Sequence, residues 1–140
     1  MEIIKMKKNL LIVLALLILT ACSSTGPSIT GDWALVSYGD ASNPIPAVPD
    51  VDTQINFDEN GQMSGNVGCN GFGGAYELTG NEITFNGVMS TMMYCDATSA
   101  QEQGVLGVFA DKVQLQFQLN GDNLTITSAD GTSVVNLVRK

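Results

Sequence analysis

Val113-Gln114-Leu115-Gln116-Phe117-Gln118-Leu119 alternates apolar and polar residues without a fault, and Asn120-Gly121-Asp122-Asn123 follows it directly. Strict period-two alternation is the pattern of a strand with one buried face. The Asn-Gly turn hands the chain to Leu124-Thr125-Ile126-Thr127, and Asp130-Gly131 hands it on to residues 134–138. Two tight turns joining three such runs predict an antiparallel meander.

Upstream, the same reading gives shorter strands at residues 33–38, 54–57, 62–67, 75–78 and 83–85. Asp58-Glu59-Asn60-Gly61, the glycine cluster at residues 68–74 and Thr79-Gly80-Asn81 separate them. Residues 39–52 carry Pro44, Pro46 and Pro49, have no periodicity and read as the one long loop. A single segment breaks the alternation. Ser99-Ala100-Gln101-Glu102 fits a capping box, and Val105, Leu106 and Phe109 recur at helical spacing, which predicts one short helix at about residues 99–110. Gly104 and Gly107 each weaken that helix by about 1 kcal/mol relative to Ala, so packing on the sheet must hold it. The predicted class is α+β, mainly antiparallel β: a compact bent sheet or partial barrel with one short helix, forming one domain over residues 31–140.

The first 21 residues read as an export signal. Lys5, Lys7 and Lys8 make a basic start, residues 10–19 are an unbroken apolar run, and Leu19-Thr20-Ala21-Cys22 follows. The run is too short to cross a bilayer as a helix, which takes about 20 residues. Small residues before Cys22 and the polar Ser23-Ser24-Thr25 after it resemble a bacterial lipobox, in which the Cys22 thiol is acylated and becomes the new N-terminus. Residues 22–30 then form a tether. The expected location is the cell envelope, lipid-anchored, and the outer membrane facing the periplasm if the host has two membranes.

The full chain has 140 residues with 6 Lys+Arg, 14 Asp+Glu, no His and 3 Cys. Removal of residues 1–21 takes three of the bases and one acid, leaving a net charge of −10 with Lys112, Arg139 and Lys140 as the only cations. A nucleic-acid partner is excluded, because binding one requires clustered Lys or Arg against phosphate. The absence of His removes Ser-His-Asp and Cys-His catalysis and every imidazole zinc site. With Cys22 acylated, Cys69 and Cys95 are an even remainder in an oxidising setting and read as one disulfide.

Other patterns fail on inspection. The glycine cluster lacks the Lys of G-x-x-x-x-G-K, and G-x-G-x-x-G begun at Gly71 meets Tyr76 in place of its last glycine. Asp50 and Asp52 open like a calcium loop, but neither the Gly nor the closing Glu follows. Most other acids sit in turns, which leaves no paired-carboxylate hydrolase. Met89, Met92 and Met93 read as adaptable core filler rather than a thioether copper site. The glycines are assigned to bends and bulges, with Phe72 and Tyr76 packing across the bend.

Gly68-Cys69-Asn70-Gly71-Phe72-Gly73-Gly74-Ala75-Tyr76 resembles the G-C-N-x-F-x-G-x-Y signature of the META domain family. Its second signature, T-x-M-x-C, is present as Thr91-Met92-Met93-Tyr94-Cys95, with Tyr94 where the family more often has Ala. Glu102 follows where the family carries an acid in its helix, and Trp33-Ala34-Leu35 matches near the domain start. The resemblance covers about residues 31–140. It implies a compact, mostly antiparallel β domain with one helix and an envelope location, with associations to stress or drug tolerance but no defined chemistry.

Together these readings predict a non-enzymatic envelope lipoprotein, held to the membrane by its lipid, that binds an unidentified protein or serves the envelope under stress. It needs no cofactor or metal. The alternative is a small apolar ligand held near Phe72, Tyr76 and the methionines; an enclosed cavity would mark that case, an exposed patch or free edge the first. The row Gln114, Gln116 and Gln118 beside Thr125 and Thr127 is a candidate docking face, uncharged in an acidic chain.

Overall fold

The computed structural model describes residues 28–140; the expected export signal and the expected lipidation site Cys22 lie outside the described residues. Nine strands run β1 (Gly31–Asp40), β2 (Ile45–Pro46), β3 (Gln54–Phe57), β4 (Gln62–Asn66), β5 (Gly71–Thr79), β6 (Glu82–Ser90), then helix α1 (Ser99–Val108), β7 (Gln114–Asn120), β8 (Asn123–Thr127) and β9 (Ser133–Arg139). Neighbours pair antiparallel in the order β2-β1-β3-β4-β5-β6-β7-β8-β9, and β1 pairs again with β9. That last pairing closes β1 and β3 to β9 into an eight-stranded barrel, a fuller closure than a bent sheet or partial barrel. The meander is as expected: Phe117 faces Ile126 and Leu124 faces Leu137 across its ladders.

An eight-stranded barrel is just wide enough for its own side chains to fill. Trp33, Phe57, Phe85 and Phe109 are fully buried inside it. Phe85 lies 4.6 Å from Phe109 between ring centroids, and Phe57 meets Tyr76 edge-on at 5.1 Å. The core also reaches back to Ile29, ahead of the expected domain start: its side chain is buried and its carbonyl accepts the Trp33 indole N–H at 2.7 Å.

The two barrel ends differ. At one, the chain enters at Gly31 opposite Phe57 and leaves at Arg139 opposite Trp33, with the Arg139 guanidinium 4.3 Å from the Trp33 ring. At the other, α1 packs against β1 and β9, and Gln101 ties it to two loops. The Gln101 amide donates to the Val67 carbonyl at 2.6 Å, and its oxygen accepts the Val48 N–H at 2.7 Å. The proline-rich stretch at residues 39–52 is therefore not free: it contains β2 and folds over the helix end of the barrel.

Two local expectations are corrected. Residues 71–74, read as a connector, are the first half of β5, where Gly73 pairs with Ser64 of β4 and the register against β6 shifts between Gly73 and Ala75. The N-cap of helix α1 is Thr98 rather than Ser99, and Glu102 accepts the Thr98 hydroxyl rather than the N–H of the cap while it turns inward to Cys69. Among the described residues, no helix is long and apolar enough to cross a membrane.

Candidate functional site

The signature residues meet at the helix end of the barrel. Glu102, in the first turn of α1, is buried and accepts the N–H groups of Cys69 and Asn70 and the Thr98 hydroxyl on Oε1. The Asn70 amide donates to its other oxygen. Asn70 in turn donates to the Met93 carbonyl at 2.8 Å and accepts the Met93 N–H at 2.7 Å and the Thr91 hydroxyl at 2.9 Å. Cys69 and Cys95 are joined in a disulfide with 6.4 Å between their Cα atoms. Three segments of unrelated secondary structure are thus bound into one unit: the turn before β5, the strand exit after β6, and α1.

This unit explains the glycine ahead of the cysteine. A Cβ at Gly68 would overlap the Glu102 carboxylate, so only glycine lets the carboxylate sit against the turn. Phe72 and Tyr76 are buried, but against different partners: Phe72 meets Phe109 at 6.3 Å, and Tyr76 packs on Phe57 with its hydroxyl donating to the Asp58 carbonyl. A Cβ at Gly74 would press on the main chain at Asn86 and Val88.

Burial by itself raises the Glu102 pKa, but the Asn70 amide, the N–H groups of Cys69 and Asn70 and the Thr98 hydroxyl together outweigh it and hold the carboxyl below the usual glutamate range. It is a fixed, charged acceptor at neutral pH. A general acid or base needs the opposite tuning, toward neutrality.

The methionines are where the structure departs most from the sequence reading. Met89, Met92 and Met93 are not core filler: they are 77%, 95% and 59% exposed, and Tyr94 beside them is 80% exposed. Only Met63 of the described methionines is buried in the core. The Asn70 bonds and the disulfide fix the backbone of residues 91–95 outside the barrel wall, leaving Met92, Met93 and Tyr94 nowhere to turn inward. Two adjoining open clefts result. One, of about 390 Å³, lies between Met92, Met93 and Tyr94 and the α1 residues Ser99, Gln103 and Leu106. The other, of about 480 Å³, is bounded by Phe72, Gly73 and Met89. No residue from 83 to 95 is charged.

The glutamine row lies elsewhere, on the outer face of β7. Gln114, Gln116 and Gln118 are exposed, but the first two donate to Glu82 at 2.6 and 3.2 Å, so that face carries a carboxylate. Among the described residues no group of three or more His, Cys, Asp or Glu is placed to hold a metal ion.

A closed antiparallel barrel capped by one helix, with an Asn-Glu-disulfide clasp between cap and wall, defines a small β-barrel domain class. The META domain profile matches residues 27–140, and the chain belongs to the META domain family. A search of curated proteins finds no match. Among solved structures, the chain is similar to a Burkholderia xenovorans protein solved by NMR, with a TM-score of 0.61 and 18% identity over 86% of this chain and 96% of that one. It is also similar to a DUF4847 family protein from Bacteroides vulgatus, with a TM-score of 0.59 and 12% identity over 79% of this chain and 93% of that one. At such identities the likeness is one of fold.

Proposed function

We propose that this chain is a lipid-anchored envelope protein whose META domain works by binding another protein, without catalysis. One observation carries the reading: a charge-free apolar segment, Met89 with Met92, Met93 and Tyr94, is clasped rigidly on the outside of an acidic barrel. Large contiguous exposed apolar patches, especially ones rimmed by polar residues, mark interaction sites on soluble domains. Pinning the backbone lowers the entropy lost when a partner docks. The alternative, a small apolar ligand, has less support, because both clefts open to solvent and the barrel interior is occupied by aromatic side chains.

A photoreactive amino acid placed at residue 92 in living cells tests this, with residue 116 on the glutamine face as comparator. A discrete adduct from residue 92, lost on Met93→Asp, is expected. An adduct from residue 116 alone moves the site to the glutamine face, and turnover abolished by a single Asp or Glu substitution overturns the non-catalytic reading. For the anchor, Cys22→Ala is expected to abolish lipid labelling and release the protein from membranes; unchanged labelling refutes it.

A further inference from the structure

The β6 strand parts from β7 early. The two pair only from Glu82 to Thr84, after which β7 turns away toward α1. Asp111 fills the start of the gap, its Oδ1 accepting the Gly87 N–H and, at 3.4 Å, that of Val88. Beyond Val88 the outer edge of β6 has no strand beside it. Register shows which groups face outward. The Thr91 N–H donates to the Gly71 carbonyl at 2.9 Å, so Gly71 and Thr91 form a hydrogen-bonded pair. Phe72 and Ser90, the next pair, are then a non-bonded one, and the Ser90 N–H and carbonyl point away from β5. The 390 Å³ cleft continues from this edge, with α1 as its far wall.

We infer that this groove takes an extended segment of a partner protein, which adds to the outer edge of β6 as a further strand and lays alternate apolar side chains against Met92, Met93 and Leu106. This rests on the protein-binding reading and specifies how the partner is held. An unpaired edge supplies main-chain hydrogen bonds to any extended chain, while the side-chain pockets beside it supply selection. Charge narrows the occupant. The one charged residue lining the cleft is Glu102, whose oxygens are already engaged by its own chain. Asp96, past Tyr94, is exposed and pairs with no cation among the described residues. The segment is therefore uncharged and apolar through its middle, with Lys or Arg at the end that reaches Asp96.

A second copy of this chain fits poorly, since its residues 22–140 bring another net charge of −10 and, of their three cations, Arg139 and Lys140 already pair with Asp122 and Asp52. A bilayer fits poorly too. The groove is at the helix end of the barrel, opposite the end where the described chain enters at Gly31.

The test uses the full chain in detergent micelles and a short synthetic peptide of alternating Val and Thr with Lys at both ends. Saturable binding is expected, with slowed amide exchange at Ser90 and Met92. Methylating alternate peptide nitrogens of the probe, which removes strand pairing but keeps its side chains, is expected to weaken binding about tenfold or more. Ser90→Pro, which deletes the outward N–H and leaves the Thr91–Gly71 bond, should do the same with the melting temperature unchanged. Met92→Asp should weaken binding too, and replacing the probe's Lys by Glu should abolish it. If Met92→Asp weakens binding but N-methylation and Ser90→Pro do not, strand addition is overturned while apolar docking stands. Absence of saturable binding, a doubled protein mass without peptide, or protection of the same amides by lipid vesicles alone each overturns the inference.

Discussion

Asn70 grips Glu102 twice, through its main-chain N–H at 3.2 Å and through its side-chain amide, while its own carbonyl oxygen holds Thr91 and Met93. Every polar atom of the Asn70 side chain is used, and only a primary amide offers donors on one branch and an acceptor on the other. Asn70→Asp replaces the donor by a second carboxylate facing Glu102. We expect a loss of about 3 kcal/mol or more, larger than the roughly 2–3 kcal/mol of Asn70→Ala, because a buried like-charge pair is added to lost hydrogen bonds. Urea denaturation midpoints at unchanged slope check this; equal midpoints for Asn70→Asp and wild type refute it.

The same clasp sets the acid response. Glu102 is held below its ordinary pKa, as are Asp32, Asp40 and Asp130, the last at about 2 through the Ser128 hydroxyl and the N–H and hydroxyl of Thr132. A carboxyl whose pKa falls on folding adds stability that is complete above its unfolded value and is lost as pH drops through the folded one. Stability should thus be flat above about pH 5 and fall below about pH 4. Glu102→Gln should start lower at pH 7 and lose less between about pH 4.5 and pH 2. Thermal melts across that range decide it, and parallel curves for the two proteins would count against the clasp.

Joining Cys69 to Cys95 closes a loop at a separation of 26 residues. On the chain-entropy account such a crosslink contributes on the order of 3–4 kcal/mol. Replacing both cysteines by Ser should lower the melting temperature by about 12–32 °C, given roughly 4–8 °C per kcal/mol in a domain this small. Because residues 91–95 also hang on Asn70, the double variant should still fold. Alkylation of unreduced, denatured protein should find neither thiol.

How far the sequence reveals the fold depends on the range of each signal. The meander β7 to β9 is legible because each strand has one buried face and each turn a Gly at positive φ, as at Gly121 and Gly131. Closure is not, since β1 meets β9 across about the whole domain: the Asn136 amide donates to the Ser37 hydroxyl at a separation of 99 residues. The first half of β5 is hidden because glycines have no side chains to alternate. Asn70 and Glu102 stand out through family resemblance, yet their bond is a contact over 32 residues that no local pattern encodes. The capping-box pattern at Ser99 is equally compatible with a Glu turned inward, which is what occurs. The methionines mislead because hydrophobicity says that apolar residues are usually inside, and an exposed patch is visible only once the backbone is placed.

Gly104 and Gly107 give a final test in which residues of one type in one helix respond with opposite sign. Both lower intrinsic helix propensity, so propensity alone makes Ala stabilising at either position by about 1 kcal/mol. At Gly107 nothing lies within 4 Å of an added Cβ, and Gly107→Ala should deliver a gain near that size. At Gly104 the added Cβ would enter the ring of Tyr38, which is buried on β1. The ring is packed and cannot swing clear, so α1 must lift from the barrel end. Overpacking of this kind costs roughly 1–3 kcal/mol and exceeds the propensity gain. Lifting α1 also draws Glu102 away from Asn70 and the turn at Cys69, since all three bonds start on that helix. Gly104→Ala should therefore lower the denaturation midpoint and speed amide exchange at Asn70, while Gly107→Ala raises the midpoint and leaves that amide protected. A stabilised Gly104→Ala would mean that the helix rests on the barrel less tightly than the Gly104–Tyr38 contact requires.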